Sequence, residues 1–198
     1  MERKLAPDTE GTMARRGLKR LFSVAEYHKM AEAGILSEDD RVELLEGEIV
    51  AMSPIGSRHA ACVDRLTQYL VGEAGSRAIV RVQNPVRLGE HSELQPDLAL
   101  LKPRPDFYAT SHPGPEDVLL VVEVAETSAA VDREVKVPLY ARFGVPEVWL
   151  VDLAADHVEV FREPSAQRYR EVRVLRRGDA VGPVLLPDLL VPVDAVLG

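Results

Sequence analysis

The chain has a single cysteine, Cys62, in 198 residues. It can form no internal disulfide and no cysteine-built zinc site, and a lone cysteine in a helical pattern reads as a small core residue. No run of 18 apolar residues occurs, so no segment reads as a transmembrane helix. The basic N-terminal stretch lacks the apolar run that follows in a secretory signal, and a cytoplasmic location is expected. Cationic excess is missing too. Lys and Arg number 24 against 32 Asp and Glu, a net charge of −8. Sequence-independent nucleic-acid binders draw affinity from neutralised phosphates, so tight binding of that kind is disfavoured. There is no Gly-x-Gly-x-x-Gly, no Gly-Lys-Ser/Thr loop and no Gly-x-Ser-x-Gly, which removes the best support for nucleotide binding and serine hydrolysis. His91 and His112 fall in expected loops and His157 near a strand, without the spacing of a zinc site.

What is present is ordinary for a globular chain: 46% hydrophobic and 28% charged residues, at a length suited to one compact domain with a tail. Residues 1–20 read as a mobile extension, whose Arg15, Arg16, Lys19 and Arg20 form a solvated basic cluster, and residues 21–198 as one domain. Ser23 and Glu26 make a capping-box pattern that predicts a helix over 23–33, closed by Gly34. Glu46-Gly47 predicts a turn before a strand at 48–52. Ala60, Val63, Leu66, Thr67 and Leu70 share one face of a predicted helix over 57–76, with His59 in its first turn. Strands are expected at 78–83 and 86–88.

Three side chains then stand out. Asp97 opens a short apolar strand over 97–101, just after Pro96. Residues 118–124 are continuous and β-branched-rich, as in a strand buried on both faces, and Glu123 sits inside that run. A buried carboxylate is costly unless it is paired, hydrogen-bonded or metal-bound. After it, Val135, Leu139 and Phe143 form an apolar helical stripe, with Asp132, Lys136 and Tyr140 as a second stripe beside it. Pro138 predicts either a kink or a late start that puts Lys136 near the helix N-terminus, and Gly144 closes the helix. Strands at 147–152, 158–161 and 169–175 follow, the last two as an outer hairpin, and the final segment reads as irregular. The element order predicts an α/β fold of the α+β type, a central mixed β-sheet flanked by helices.

Two acids and a lysine suit phosphodiester hydrolysis. Asp97 and Glu123 would hold Mg²⁺ or Mn²⁺, which lowers the pKa of a bound water, and Lys136 would stabilise charge on the phosphate or position that water. The competing explanation is a buried Glu123–Lys136 ion pair with Asp97 capping a turn.

Four stretches carry a family resemblance: VELLEGEIVAMSP with the following His59, QPDLALL, VVEVAETS, and DREVKVPLYARFGVPEVWLVDL. Over roughly residues 22–195 the chain resembles the Uma2 family (DUF820) of restriction-endonuclease-like proteins, within the PD-(D/E)xK nuclease superfamily. The resemblance implies a restriction-endonuclease-like core, with Pro96-Asp97 as the family's Pro-Asp pair, Glu123 as its second acid, and Glu43 and His59 as accessory residues. The position two residues after Glu123 holds Ala125 where the superfamily has lysine. In Uma2-like sequences a lysine on the following helix takes that place, here Lys136. The activity implied is metal-dependent DNA cleavage, and a homodimer is expected because symmetric dimers are the default assembly. The alternative is a catalytically inactive nuclease fold acting as a binding or dimerisation module.

Overall fold

The computed structural model describes residues 19–37 and 39–198. Most of the expected extension, including Arg15 and Arg16, lies outside the described residues. Lys19 and Arg20 are engaged rather than merely solvated: Lys19 pairs with Glu48 at 2.8 Å and Arg20 with Glu26.

Helix α1 (Val24–Glu32) starts as its capping box dictates. The Ser23 hydroxyl accepts from the Glu26 N–H, and the Glu26 carboxylate accepts from the Ser23 N–H. Gly34, at φ +69°, ends it in a conformation that costs glycine little. Strands β1 (Val42–Leu45) and β2 (Glu48–Ala51) form a hairpin whose two turn residues, Glu46 and Gly47, both have positive φ. That conformation matches the twist of the flanking strands. β1 was not expected, because Val42-Glu43-Leu44-Leu45 does not alternate.

Helix α2 (Ser57–Ala74) buries Cys62, Val63, Leu66, Leu70 and Ala74. Burial pushes the Cys62 thiol up to about 12, consistent with an inert core residue. Strands β3 (Ile79–Val82), β4 (Val86–Arg87), β5 (Glu93–Leu94), β6 (Leu98–Leu101) and β7 (Val118–Ala125) follow. After β7 come a helical turn α3 (Ala129–Val131), a wide π-helical turn Asp132–Lys136, and α4 (Val137–Arg142). The chain continues through β8 (Glu147–Asp152), the hairpin of β9 (His157–Pro164) and β10 (Tyr169–Leu175), and a tail holding β11 (Ala180–Val181), β12 (Val191–Pro192) and α5 (Val193–Leu197). The tail is thus more regular than expected: β11 pairs with β12, and Val193 and Val196 of α5 join the core.

The central mixed sheet has six strands in the order β10-β9-β8-β7-β6-β3. Only β7 and β8 run parallel, joined by the helical crossover. A second sheet, β2-β1-β5-β4, is wholly antiparallel. Alternation along β7 divides the core. Val122 and Val124 face α2 and α5, whereas Val121 and Ala125 share a cluster with Leu139 and Tyr140 of α4 and Leu45 of β1. Glu123 has the parity of the second set, and its side chain therefore points toward the crossover helix and the small sheet.

Pro138 acts differently from either expectation. The helix begins nine residues before it, and the π turn absorbs the missing donor: the Val137 N–H reaches back to the Asp132 carbonyl. The extra residue in that turn rotates the face presented to the core. Leu139 is buried, but Val135 and Phe143 of the expected apolar stripe are exposed, while Lys136 and Tyr140 point inward.

A second buried carboxylate, Glu147, is fully satisfied. Its oxygens accept from Arg162 at 2.8 Å, Trp149 Nε1 at 2.6 Å and the Val184 N–H at 2.5 Å. Removing one partner of a buried pair strands the other charge. Glu147→Gln should lower unfolding free energy by about 3 kcal/mol in guanidinium titrations; a change within error would show that the cluster carries no structural load.

Candidate active site

Five elements converge on one cleft. β1 supplies Glu43, the first turn of α2 supplies His59, and the residue before β6 is Asp97. β7 supplies Glu123, and the crossover supplies Asp132 and Lys136, with Tyr140 buried behind Glu123. The cleft has a volume of ≈ 260 Å³, and Arg41, Glu43, His59, Asp97, Glu123 and Lys136 are among its lining residues.

Lys136 is the hub. Its Nζ lies 3.0 Å from Glu43 Oε1, 3.6 Å from Glu123 Oε1 and 3.9 Å from Asp132 Oδ1. The Tyr140 hydroxyl donates to Glu123 Oε1 at 2.7 Å, and the Gln95 N–H to Glu43 Oε2 at 3.3 Å. Glu123 is 3% exposed and Lys136 9%. Burial pushes the Glu123 carboxyl up to about 8; Lys136 pulls it back down, while Asp97, Asp132 and Glu43 push it further up. Burial alone would lower the Lys136 ammonium, but Glu123, Glu43 and Asp132 together hold it above its ordinary value. Asp132 is also raised, by burial first, against the Ser128 hydroxyl that donates to it at 2.6 Å.

Asp97 belongs to an adjoining network. The β6–β7 ladder ends at Leu98↔Val122, and one further step of that register sets Asp97 beside Glu123. Asp97 Oδ2 accepts from the Val124 N–H at 2.8 Å and from His59 Nε2 at 3.1 Å; Oδ1 accepts from Gln83 Nε2 at 3.2 Å. The hydrogen bond that His59 makes to the Asp97 carboxylate raises the His59 pKa, against burial. His59 Nδ1 is buried without a partner.

The structure therefore joins Glu43, Glu123 and Lys136 directly, and Asp97 with His59, on the walls of one cleft. It makes no direct Asp97–Lys136 contact among the described residues. Asp132 and Tyr140 were not singled out from sequence as site residues. The signal was there, in the Asp132/Lys136/Tyr140 stripe, but nothing local said that this stripe faces inward.

The donor set suits a hard divalent cation. Three carboxylates surround one ammonium and a fourth, Asp97, lies beside them, so negative charge is in excess. Mg²⁺ is commonly held by one or two carboxylates and keeps several waters. Among the described residues, no three of these acids offer ligand atoms mutually within 4.8 Å.

A mixed sheet flanked by helices, with acids and a lysine gathered at the parallel β7–β8 step, defines a restriction-endonuclease-like fold. The chain matches the Uma2 family, described as "putative restriction endonuclease", over residues 24–194, and it belongs to that family. Among solved structures it resembles a "putative nuclease belonging to DUF820" from Anabaena variabilis ATCC 29413, with a TM-score of 0.68 and 17% identity, covering 89% of this chain and 97% of that one. At that identity the likeness concerns the fold. The type IIG restriction endonuclease BpuSI aligns with a TM-score of 0.39 and 18% identity over 61% of this chain, which spans 14% of that much longer protein. No curated protein matches the chain.

Raised carboxyls give the site a pH signature. The folded protein holds the Glu123 proton between the ordinary value of 4.5 and about 8, where the unfolded chain has released it. Stability should therefore fall as pH rises through this window, with Asp132 adding in the same sense. In denaturant titrations at pH 5 and pH 8, Glu123→Gln should show a smaller fall than wild type. An equal fall would remove Glu123 as its source.

Proposed function

We propose that this protein is a metal-dependent endonuclease that hydrolyses DNA phosphodiesters, with the cleft as its active site. The observation that carries this reading is Glu123: a buried acid left partly uncompensated at the wall of an open cleft, beside Asp97 and Lys136. Glu147, one strand away, shows how the same fold closes a carboxylate that has only a structural task.

Each side chain then has a role that its surroundings support. Asp97 and Glu123 hold the cation, Mg²⁺ or Mn²⁺. His59 and Gln83 orient Asp97, and Tyr140 fixes the rotamer of Glu123. Held there, such an ion would supply Lewis acidity at the phosphate and would lower the pKa of a water. Lys136 is held protonated, so it is not a general base. It offers a fixed positive charge to the phosphate oxygens as negative charge builds on them. Glu43 shares that ammonium and aims it. Arg41, at the cleft wall, is placed to receive the DNA backbone, which an overall net charge of −8 would otherwise repel.

One observation favours a different reading. Lys136 already partners both Glu43 and Glu123, and a chain content with that pairing would be a silent nuclease fold serving as a binding module. A plasmid-nicking assay separates the two. Wild type should nick supercoiled DNA with Mg²⁺ or Mn²⁺ and lose activity in chelator. Asp97→Asn, Glu123→Ala and Lys136→Ala should each lose at least about 100-fold. Equal residual nicking in all four proteins would mean contamination and would leave the binding module standing.

A further inference from the structure

The small sheet has two faces. Glu43 looks into the cleft, so its neighbour Leu44 points to the opposite side, where α1 packs. Leu44 is paired across the ladder with Glu93 of β5, which places the Glu93 side chain on that far side as well. Glu93 is 4% exposed. Its Oε1 lies 2.7 Å from His28 Nε2 on α1, but its Oε2 is buried with no hydrogen-bond partner. A carboxylate oxygen stripped of water and left unpaired is costly. The cross-strand neighbour Arg87 does not relieve it, since its Nε donates to the Gly89 carbonyl at 3.3 Å.

A third side chain completes the group. The long segment between β6 and β7 is tied to the small sheet by the Arg87 N–H, which donates to the Pro113 carbonyl at 2.9 Å. That contact brings exposed His112 against His28, with ring centroids 6.1 Å apart in an edge-on arrangement. One ligand atom each from His28, Glu93 and His112 lies within 4.8 Å of the others. The three residues come from a helix, a strand and a loop, and their sequence spacing gives no hint of a site.

We propose that His28, Glu93 and His112 form a second cation site, separate from the cleft and chemically different from it. Two imidazoles and one carboxylate favour a borderline divalent transition ion of the Zn²⁺ type over Mg²⁺, and leave a coordination position for water. The ion would take the orphaned Glu93 oxygen as a ligand and would stitch α1 and the 102–117 segment to the small sheet. A comparable cluster, Asp152, His157 and Glu159, is already filled: Arg133 donates to both Asp152 and Glu159. The His28 group has no such resident cation among the described residues.

The experiment is a Zn²⁺ titration by calorimetry on the full chain carrying Asp97→Asn, which disables the cleft as a competing site. A single equivalent should bind. Adding either His112→Ala or His28→Ala should weaken that binding by more than about tenfold. Co²⁺ should give the visible absorption of a four-coordinate ion, and His112→Ala should abolish it. His112 is exposed, so that variant tests the ligand without disturbing the core. No binding to the Asp97→Asn chain, or binding unchanged by both histidine substitutions, would overturn the proposal.

Discussion

One ammonium group holds the two sheets together at the place where chemistry is proposed. Lys136 comes from the crossover helix, Glu43 from the small sheet and Glu123 from the central sheet, and the ammonium lies 3.0 Å and 3.6 Å from the two acids. Isolated charges at this depth would be strongly destabilising, so each element can pack only because the others supply the opposite sign. The compensation is incomplete: Asp132 and Asp97 leave the region with more negative charge than Lys136 and His59 can offset. That residual charge links a packing constraint to the cation proposed for the cleft.

Neighbouring strands hold two buried acids in different surroundings. Glu147 is enclosed by Arg162, the Trp149 indole and a backbone N–H, and is fully buried. Glu123 has the Tyr140 hydroxyl and a share of Lys136, and lines open space. Both are buried carboxylates in hydrophobic strands, so burial by itself does not distinguish them. Donor count and access do. The same contrast separates the filled Asp152–His157–Glu159 cluster from the group around Glu93.

Much of the fold was legible locally. The capping box of α1, the apolar stripe of α2, the continuous run of β7 and the closing Gly144 follow from rules that act over a few residues, and the structure agrees with each. Other elements were not. β1 and β5 are short, contain buried glutamates and are defined by their pairing, β1 with β2 and β5 with β4, so no periodicity announces them. Pro138 signalled an irregularity, but whether it would kink, delay or widen the helix depended on which carbonyl the neighbouring N–H groups could reach.

By itself, then, the sequence determined that a buried acid would sit in a parallel-sheet strand, with a lysine one helix later and an aspartate one strand earlier. Those placements rest on hydrophobic patterning and turn chemistry, which are local. Only the tertiary structure decided which way each side chain points: that the π turn carries Lys136 and Tyr140 inward, that Glu43 arrives from a second sheet, and that His28 and His112 meet across 84 positions of chain. Such meetings depend on packing between elements distant in sequence, where a rotation of one helix face changes every partner.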